Sequence, residues 1–349
     1  MSAGSIIAAN LRWHKLEGAL SGEALIGTVN LKGFFREGPQ NRYRKAKVFG
    51  MRRKEAEAIE RELSPPFTVV RPTKLELPLV FNSPHSGRLY PSTFLAASKL
   101  DPLTLRASED AYVDELFNFA PALGAPLLHA HFPRAYLDVN REPYELDPVL
   151  FRDGLPHYAN TQSVRVVGGL GTIARIVSET EEIYREPLLV ETALERIHRL
   201  YVPYHETLCQ LLTEAKREFG YAVLIDCHSM PSNSRTDKRL SRTDFVLGDR
   251  FGTSCSPELT QAAAHALEGL GCSVSLNKPY AGGYITEHYG RPHKAQHVLQ
   301  IEINRALYMD EGTFQRSARF AHVRRTLETM IRHVIPAIPG LIVPRAAAE

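Results

Sequence analysis

The chain has 349 residues, 44% hydrophobic and 23% charged, with a formal net charge of +3. That length allows one large domain or two ordinary ones with a sizeable core, while so small a charge gives no ground for a nucleic-acid or membrane-surface partner. The four cysteines, Cys209, Cys227, Cys255 and Cys272, have neither the spacing of a zinc knuckle nor the density of a disulfide scaffold, which points to a reducing cytoplasm.

No apolar run approaches the roughly 20 residues of a membrane span, and the opening MSAGSIIAANLRWHK lacks the pattern of a secretion signal. Residues 1–62 carry twelve lysines and arginines against seven acidic residues, a net of +5, which leaves −2 for the rest. A basic arm touching a polyanion is one reading of this segment. A poorly ordered extension, with a short helical patch near Arg53–Glu62, fits its weak periodicity better. Ser64-Pro65-Pro66 marks a boundary. Residues 1–64 are therefore expected as the extension, 65–340 as the main domain and 341–349 as a tail.

From Phe67 the pattern becomes regular. Leu77 to Phe81 reads as a buried strand broken by Asn82-Ser83-Pro84, which leaves His85 just past its carboxyl end. The stretch SEDAYVDELFNFAPALG predicts a helix from Ser108, with Ser108 as N-cap and Asp110 on its inward face. Strands follow at 125–132 and 134–142, then an irregular stretch at 143–175 of the kind that often carries function. Residues 189–219 read as a long helix bent near Pro203 and ended by Gly220.

The strand 221–229 runs apolar and then ends in Asp226-Cys227-His228. Further elements are a strand at 244–249, a helix at 257–270, a strand at 272–276 and a glycine-rich loop at 280–290. A strand at 297–304 carries Glu302 near its end, and a helix spans about 312–335. This alternation predicts a three-layer α/β fold: a mixed, mostly parallel sheet flanked by helices.

His85, His228 and Glu302 thus sit at strand ends, where open α/β sheets build their sites. Two imidazoles and one carboxylate with an open position form the usual ligand set of a catalytic zinc, one ion per chain. Asp110 is the candidate carboxylate ligand, with its neighbour Glu109 as the alternative; dipole compensation in a first helical turn is the plainer role for both. Glu302, on an otherwise apolar strand, suits a general base. Asp226 suits a partner to the far nitrogen of His228, or a bond to backbone. His198 and His205 lie on a helix and read as ordinary surface or core residues.

Arg134, Arg141 and Asn140 offer donors for a carboxylate, unless the arginines pair with Asp138, Glu142 or Glu145. Arg305 has the same ambiguity. Gly282-Gly283 lets the backbone approach a ligand, or is a tight turn. No G-x-S-x-G elbow, Walker loop or dinucleotide motif occurs.

The series NSPHSG, EDAYVDELF, RAYLDVNRE, DCHS, GGYITEHYG and IEINRALY resembles the N-formylglutamate amidohydrolase family, from about Phe67 to Pro336. The resemblance implies a zinc carboxypeptidase-like fold and hydrolysis of N-formyl-L-glutamate to formate and L-glutamate, the last step of one histidine-degradation route. It implies His85 and His228 as zinc ligands, with Asp110 at the family's acidic position and Glu302 as general base. It further implies Asn140-Arg141 as the carboxylate-binding pair. Two departures stand out. Glu287 occupies a position where family members often carry arginine, which leaves room for a different N-acyl amino acid as substrate. Arg88 stands three residues after His85, where the zinc carboxypeptidases place a glutamate ligand. A metal-free protein that binds an anionic ligand is the rival from another class. The sequence carries no signal of oligomeric state.

Overall fold

The computed structural model describes residues 54–177, 181–232 and 243–338. The expected extension as far as residue 53, and the whole of the expected tail 341–349, lie outside these described residues. Seven strands form one sheet: β1 (Phe67–Val70), β2 (Leu79–Ser83), β3 (Leu127–Ala130), β4 (Ala222–Met230), β5 (Phe245–Gly248), β6 (Val274–Leu276) and β7 (Gln296–Asn304). Their order is β1-β3-β2-β4-β7-β5-β6. The β3-β2-β4-β7 centre is parallel, as is β5 with β6, whereas β1 pairs with β3 and β5 with β7 antiparallel. The mixed, mostly parallel sheet therefore matches the sequence expectation. Among the described residues no helix is long and apolar enough to cross a membrane.

The central strands are buried on both faces, as parallel strands under helical layers are. On one face Phe81, Ile225, Leu299, Ile301 and Ile303 pack against the helices Pro257–Gly269 and Phe320–Val334. On the other, Val80, Leu224 and Val298 pack beneath the helix Val202–Phe219. Each such Leu, Val or Phe side chain contributes about 1.5–3 kcal/mol on burial. The second face changes character along the strands. Two residues beyond Val80, Leu224 and Val298 stand Asn82, Asp226 and Gln300, and two further on stand His228 and Glu302. A period of two keeps these polar groups on one face, so on that side the sheet is apolar at its amino end and polar at its carboxyl end.

The chain passes from β2 to β3 on one side and then returns to β4 on the other side of β2. That reversal opens a crevice beyond the carboxyl ends of β2 and β4. His85 lies just past β2 and His228 near the end of β4, one on each side of it.

Several elements differ from the sequence reading. The helix expected from Ser108 is broken into a 3-10 turn at Arg106–Ser108 and a single helical turn at Val113–Leu116. Between them Tyr112 is left-handed, with φ of 66°, and the Asp110 N–H donates to the His85 carbonyl at 3.0 Å. Tertiary anchoring here overrides local helix propensity. Residues 134–142 form turns rather than a strand, started by Tyr136 and Leu137 N–H groups that donate to Pro133 O. The loop at 280–290 contains the short helix Tyr284–Tyr289. The last helix begins at Phe320 rather than near 312, because Asp310 Oδ1 caps the Thr313 N–H and hydroxyl in a tight turn.

The long helix is continuous in outline: Val190–Arg196, a π segment at Ile197–Tyr201, then Val202–Phe219, closed by left-handed Gly220. Pro203 cannot donate to the turn before it, and the wider π turn absorbs the misfit. Residues 54–62 are helical and belong to the packed body. Ile59 and Leu63 are buried in the same cluster as the helix Val202–Phe219, and Glu55 Oε1 accepts from Arg196 Nε and from the Tyr136 hydroxyl, both at 2.6 Å.

Candidate active site

His85 and His228 approach across the crevice with ring centroids 4.9 Å apart. Between them stands Asp110. Its Oδ2 is 2.9 Å from His228 Nδ1 and 3.4 Å from His85 Nδ1. Side-chain donor atoms of the three residues all lie within 4.8 Å of one another, and all three are buried. Glu109 is turned elsewhere: Tyr90 donates to its Oε1 at 2.6 Å, and Arg106 Nε lies 3.1 Å from its Oε2. Of the two acidic neighbours, Asp110 therefore faces the histidines.

The outer nitrogens of both rings are held from behind. His85 Nε2 lies 2.7 Å from Asp138 Oδ1. A neutral His85 that donates from Nε2 keeps a lone pair on Nδ1, and Nδ1 is buried without a hydrogen-bond partner. That lone pair faces the acceptor Oδ2 of Asp110. Two buried acceptors facing each other call for a cation between them, and two imidazole nitrogens with one carboxylate oxygen are the donor set that suits zinc. The residues present thus fit a metal ion on their own chemistry. His228 Nε2 is 3.2 Å from both Asn140 Nδ2 and Asp226 Oδ2. Asn140 Nδ2, a donor, has the hydrogen-bonding geometry toward an unprotonated Nε2; with a metal on Nδ1 the proton sits on Nε2, and the Asp226 Oδ2, which otherwise makes no hydrogen bond, is its acceptor.

These contacts shift the ionisation of the metal-free chain. Burial disfavours a charged Asp110, but the hydrogen bond of His228 and the closeness of the His85 imidazole hold it well below the usual carboxylate range. Burial likewise opposes ionisation of Asp138, and Arg141, His85 and Arg134 overcome it. Burial works against a charged His228, yet the carboxylates of Asp226 and Asp110 raise it well above an ordinary imidazole.

Glu302 is the in-register partner of His228 on the neighbouring strand, and its Oε1 accepts from Gln300 Nε2 at 2.9 Å. Burial pushes Glu302 up to about 7, with the charge of His228 working against the rise and that of Asp110 adding to it. A carboxylate near 7 is poised to exchange a proton at neutral pH.

Asp110, Asp138, Glu302, Arg134, Arg141 and Arg305 line one cavity of about 220 Å³. Leu170, Gly171, Ala174, Ile176 and Val177 form its apolar wall. The first three come from the irregular stretch 143–175 expected to carry function, and the other two directly follow it. Arg134 donates to Asp138 Oδ2 at 2.8 Å, and Arg141 NH2 lies 3.6 Å from the same oxygen. Burial pushes Arg141 down to about 10, against the pull of Asp138.

Three expected ligand-binding residues are not among the residues that line this cavity. Asn140 spends its amide on His228 and on accepting the Ile285 N–H at 2.7 Å. Gly283 makes room for Asn140, whose amide would meet an added Cβ at 2.3 Å. Gly282 has φ of 123°, and an added Cβ would meet Thr286 at 2.8 Å. The two glycines thus serve packing behind the site. Glu287 also lies outside the wall, paired with Arg250 at 2.7 Å and 61% exposed. His205 is a satisfied core residue, as read, bonded to Val139 O and the Tyr289 hydroxyl. Asp138 as the partner of His85 is what the sequence reading missed. Its only signal is that a buried histidine ligand needs an acceptor behind it.

The family model for N-formylglutamate amidohydrolase matches residues 77–309. N-formylglutamate deformylase of Pseudomonas aeruginosa is 33% identical over 243 residues, 67% of this chain and 83% of that protein. The enzyme of the same name from Pseudomonas putida is 32% identical over 240 residues. The crystal structure of N-formylglutamate amidohydrolase from Ralstonia eutropha JMP134 is 38% identical, with a TM-score of 0.73, over 79% of this chain and 99% of that one. The matched span contains both histidines, both carboxylates and the arginine-lined cavity, and the chain belongs to the N-formylglutamate amidohydrolase family, a family of amide hydrolases.

Proposed function

We propose that the protein hydrolyses N-formyl-L-glutamate to formate and L-glutamate, with zinc held by His85, Asp110 and His228. One observation carries the reading: a buried His85 Nδ1 without a hydrogen-bond partner faces a carboxylate oxygen in the same cavity as a glutamate raised to about 7 and two arginines. The family membership supplies the formyl group, which side-chain geometry alone does not specify. A zinc ion there would supply Lewis acidity and a bound water acidic enough to ionise near pH 7.

The chain's own residues do the rest. Arg141, with Arg134, holds the α-carboxylate and orients the substrate. Glu302 takes a proton from water as oxygen attacks the formyl carbon. It returns that proton to the amine as the C–N bond breaks. Asp138, Asn140 and Asp226 keep the two imidazoles in place. A cavity of about 220 Å³ suits an amino-acid-sized substrate, below the roughly 300–1,000 Å³ of sites for drug-sized ligands. All four cysteines are free thiols, as in a reducing cytoplasm, where this step would end a route of histidine degradation. We place the hydrolase body from about residue 54 to residue 338, with the basic segment before it outside the chemistry.

The test is formate release from a panel of N-formyl and N-acetyl amino acids, before and after chelation. N-formyl-L-glutamate should be preferred, chelation should abolish activity and zinc should restore it. Preference for another N-acyl amino acid would replace the substrate. Metal content below about 0.1 per chain with full activity would overturn the zinc reading.

A further inference from the structure

We propose that Arg305 is a positioning residue that fixes how Asp110 presents its carboxylate to the metal. The inference rests on the reading of His85, Asp110 and His228 as metal ligands. Asp110 sits on irregular chain between a 3-10 turn and left-handed Tyr112, so no regular element aims it. Arg305, just after β7 and 5% exposed, does so. Its NH2 donates to Asp110 Oδ1 at 3.1 Å. Its Nε donates to the Ser229 hydroxyl at 3.1 Å, and Ser229 donates in turn to the same Oδ1 at 3.3 Å. Its NH1 donates to the Ala107 carbonyl at 3.0 Å, which ties down the segment that carries Asp110.

The two oxygens of Asp110 therefore have different surroundings. Oδ1 is taken by two donors on the side of Arg305. Oδ2 alone faces the two imidazoles. Rotation of the carboxylate to offer both oxygens would break the Arg305 and Ser229 bonds together. The guanidinium suits this task because its fork spans three partners from two parts of the chain, which an ammonium cannot match.

Two effects compete. Partners that orient a metal ligand are worth about 10–100-fold in metal affinity or activity. The positive charge of Arg305 acts the other way, since it repels a dication. The orientation effect should prevail, because Asp110 stands between the guanidinium and the face it offers to the metal. Arg305 also lines the cavity, so direct binding of the substrate carboxylate is the rival role.

The experiment compares metal-free wild type with Arg305→Lys and Ser229→Ala. Each is checked by circular dichroism and thermal midpoint, then titrated with zinc against a chromophoric chelator. Arg305→Lys should bind zinc about 10–100-fold more weakly, and Ser229→Ala should shift affinity less but in the same direction. The KM of fully zinc-loaded Arg305→Lys should stay within about twofold of wild type. Unchanged or tighter zinc binding in both variants overturns the proposal. So does a large rise in KM at unchanged zinc affinity, which would make Arg305 a substrate-binding residue. If Arg305→Lys fails to fold, the zinc affinity of Ser229→Ala decides alone. Absence of zinc binding by the wild type would overturn the metal reading itself, an outcome distinct from any failure confined to the variants.

Discussion

Asp138 Oδ1 lies 2.7 Å from His85 Nε2, while Oδ2 of the same carboxylate is held by Arg134 at 2.8 Å. One side chain therefore sets both the tautomer of a candidate metal ligand and the position of a candidate substrate arginine. Asp138→Asn keeps the size and removes the charge. Zinc affinity is expected to fall about 10–100-fold. The KM should rise as well, because Arg134 loses its restraint. Chelator competition and steady-state kinetics on one preparation check both. A variant with wild-type zinc affinity would count against the tautomer role.

Glu302→Gln removes the proton carrier without changing volume. The kcat should drop about 10²–10⁴-fold, with zinc still bound. The wild-type profile of kcat/KM should have an acid limb that depends on this group. Burial raises Glu302 to about 7 in the metal-free chain, and a bound dication would lower it, so the limb should fall at or below pH 7. Activity is lost as pH drops, because the base becomes protonated. Stability of the metal-free protein runs the other way. The folded chain keeps this proton to higher pH than the unfolded chain does, so stability from this group decreases as pH rises from about 5 to about 8. Glu302→Gln should remove that decline, which thermal midpoints across the range would reveal.

Arg141→Lys should act on binding more than on turnover. A charged hydrogen bond is worth about 1.5–3 kcal/mol, so KM should rise on the order of 10- to 100-fold with kcat changed less. The cavity holds Arg134 nearby, and the double variant should lose saturation altogether. An unchanged KM would assign Arg141 to the wall alone, where its Nε already donates to Leu170 O at 2.8 Å.

Glu55 bears on the fold rather than the chemistry. Its carboxylate is buried and paired with Arg196, whose guanidinium also stacks 3.9 Å from the Tyr136 ring centroid. Removing one partner of a buried pair costs about 3–5 kcal/mol. Glu55→Ala should therefore lower the thermal midpoint steeply while leaving kcat of the folded enzyme near wild type. Truncation before Phe67 should do the same or worse, although the family match begins only at residue 77.

The strand ends were legible because period and burial write themselves into sequence: the apolar runs before His85, His228 and Glu302 have few alternatives to a buried strand. Asp110 was legible as a residue but not as a conformation. The pattern around Ser108 is locally helical, and what breaks it is the bond from the Asp110 N–H to a carbonyl 25 positions earlier in the chain, at His85. The stretch 134–142 misled for a related reason. Its alternation of Tyr136, Asp138 and Asn140 mimics a half-buried strand, yet all three are buried and spent on tertiary contacts. Gly282 and Gly283 carry a real constraint, but the group they make way for is the protein's own Asn140 and Thr286. No local pattern separates that from room for a ligand.

The ladder between β4 and β7 runs nine residues, from Ala222 opposite Gln296 to Met230 opposite Asn304, with His228 and Glu302 as one of its rungs. A slip of a single residue would bring Cys227 opposite Glu302 and turn the two site groups to opposite faces of the sheet. If β4 slipped, Ile225 would leave the apolar face for the polar one, so the apolar half of the sheet guards the alignment of the polar half. The separation between a candidate ligand and the candidate proton carrier is therefore inherited from backbone pairing far from the crevice. Core substitutions at the amino ends of these strands should disturb catalysis only when they disturb registration, and the surrounding loops remain free to vary in what they admit.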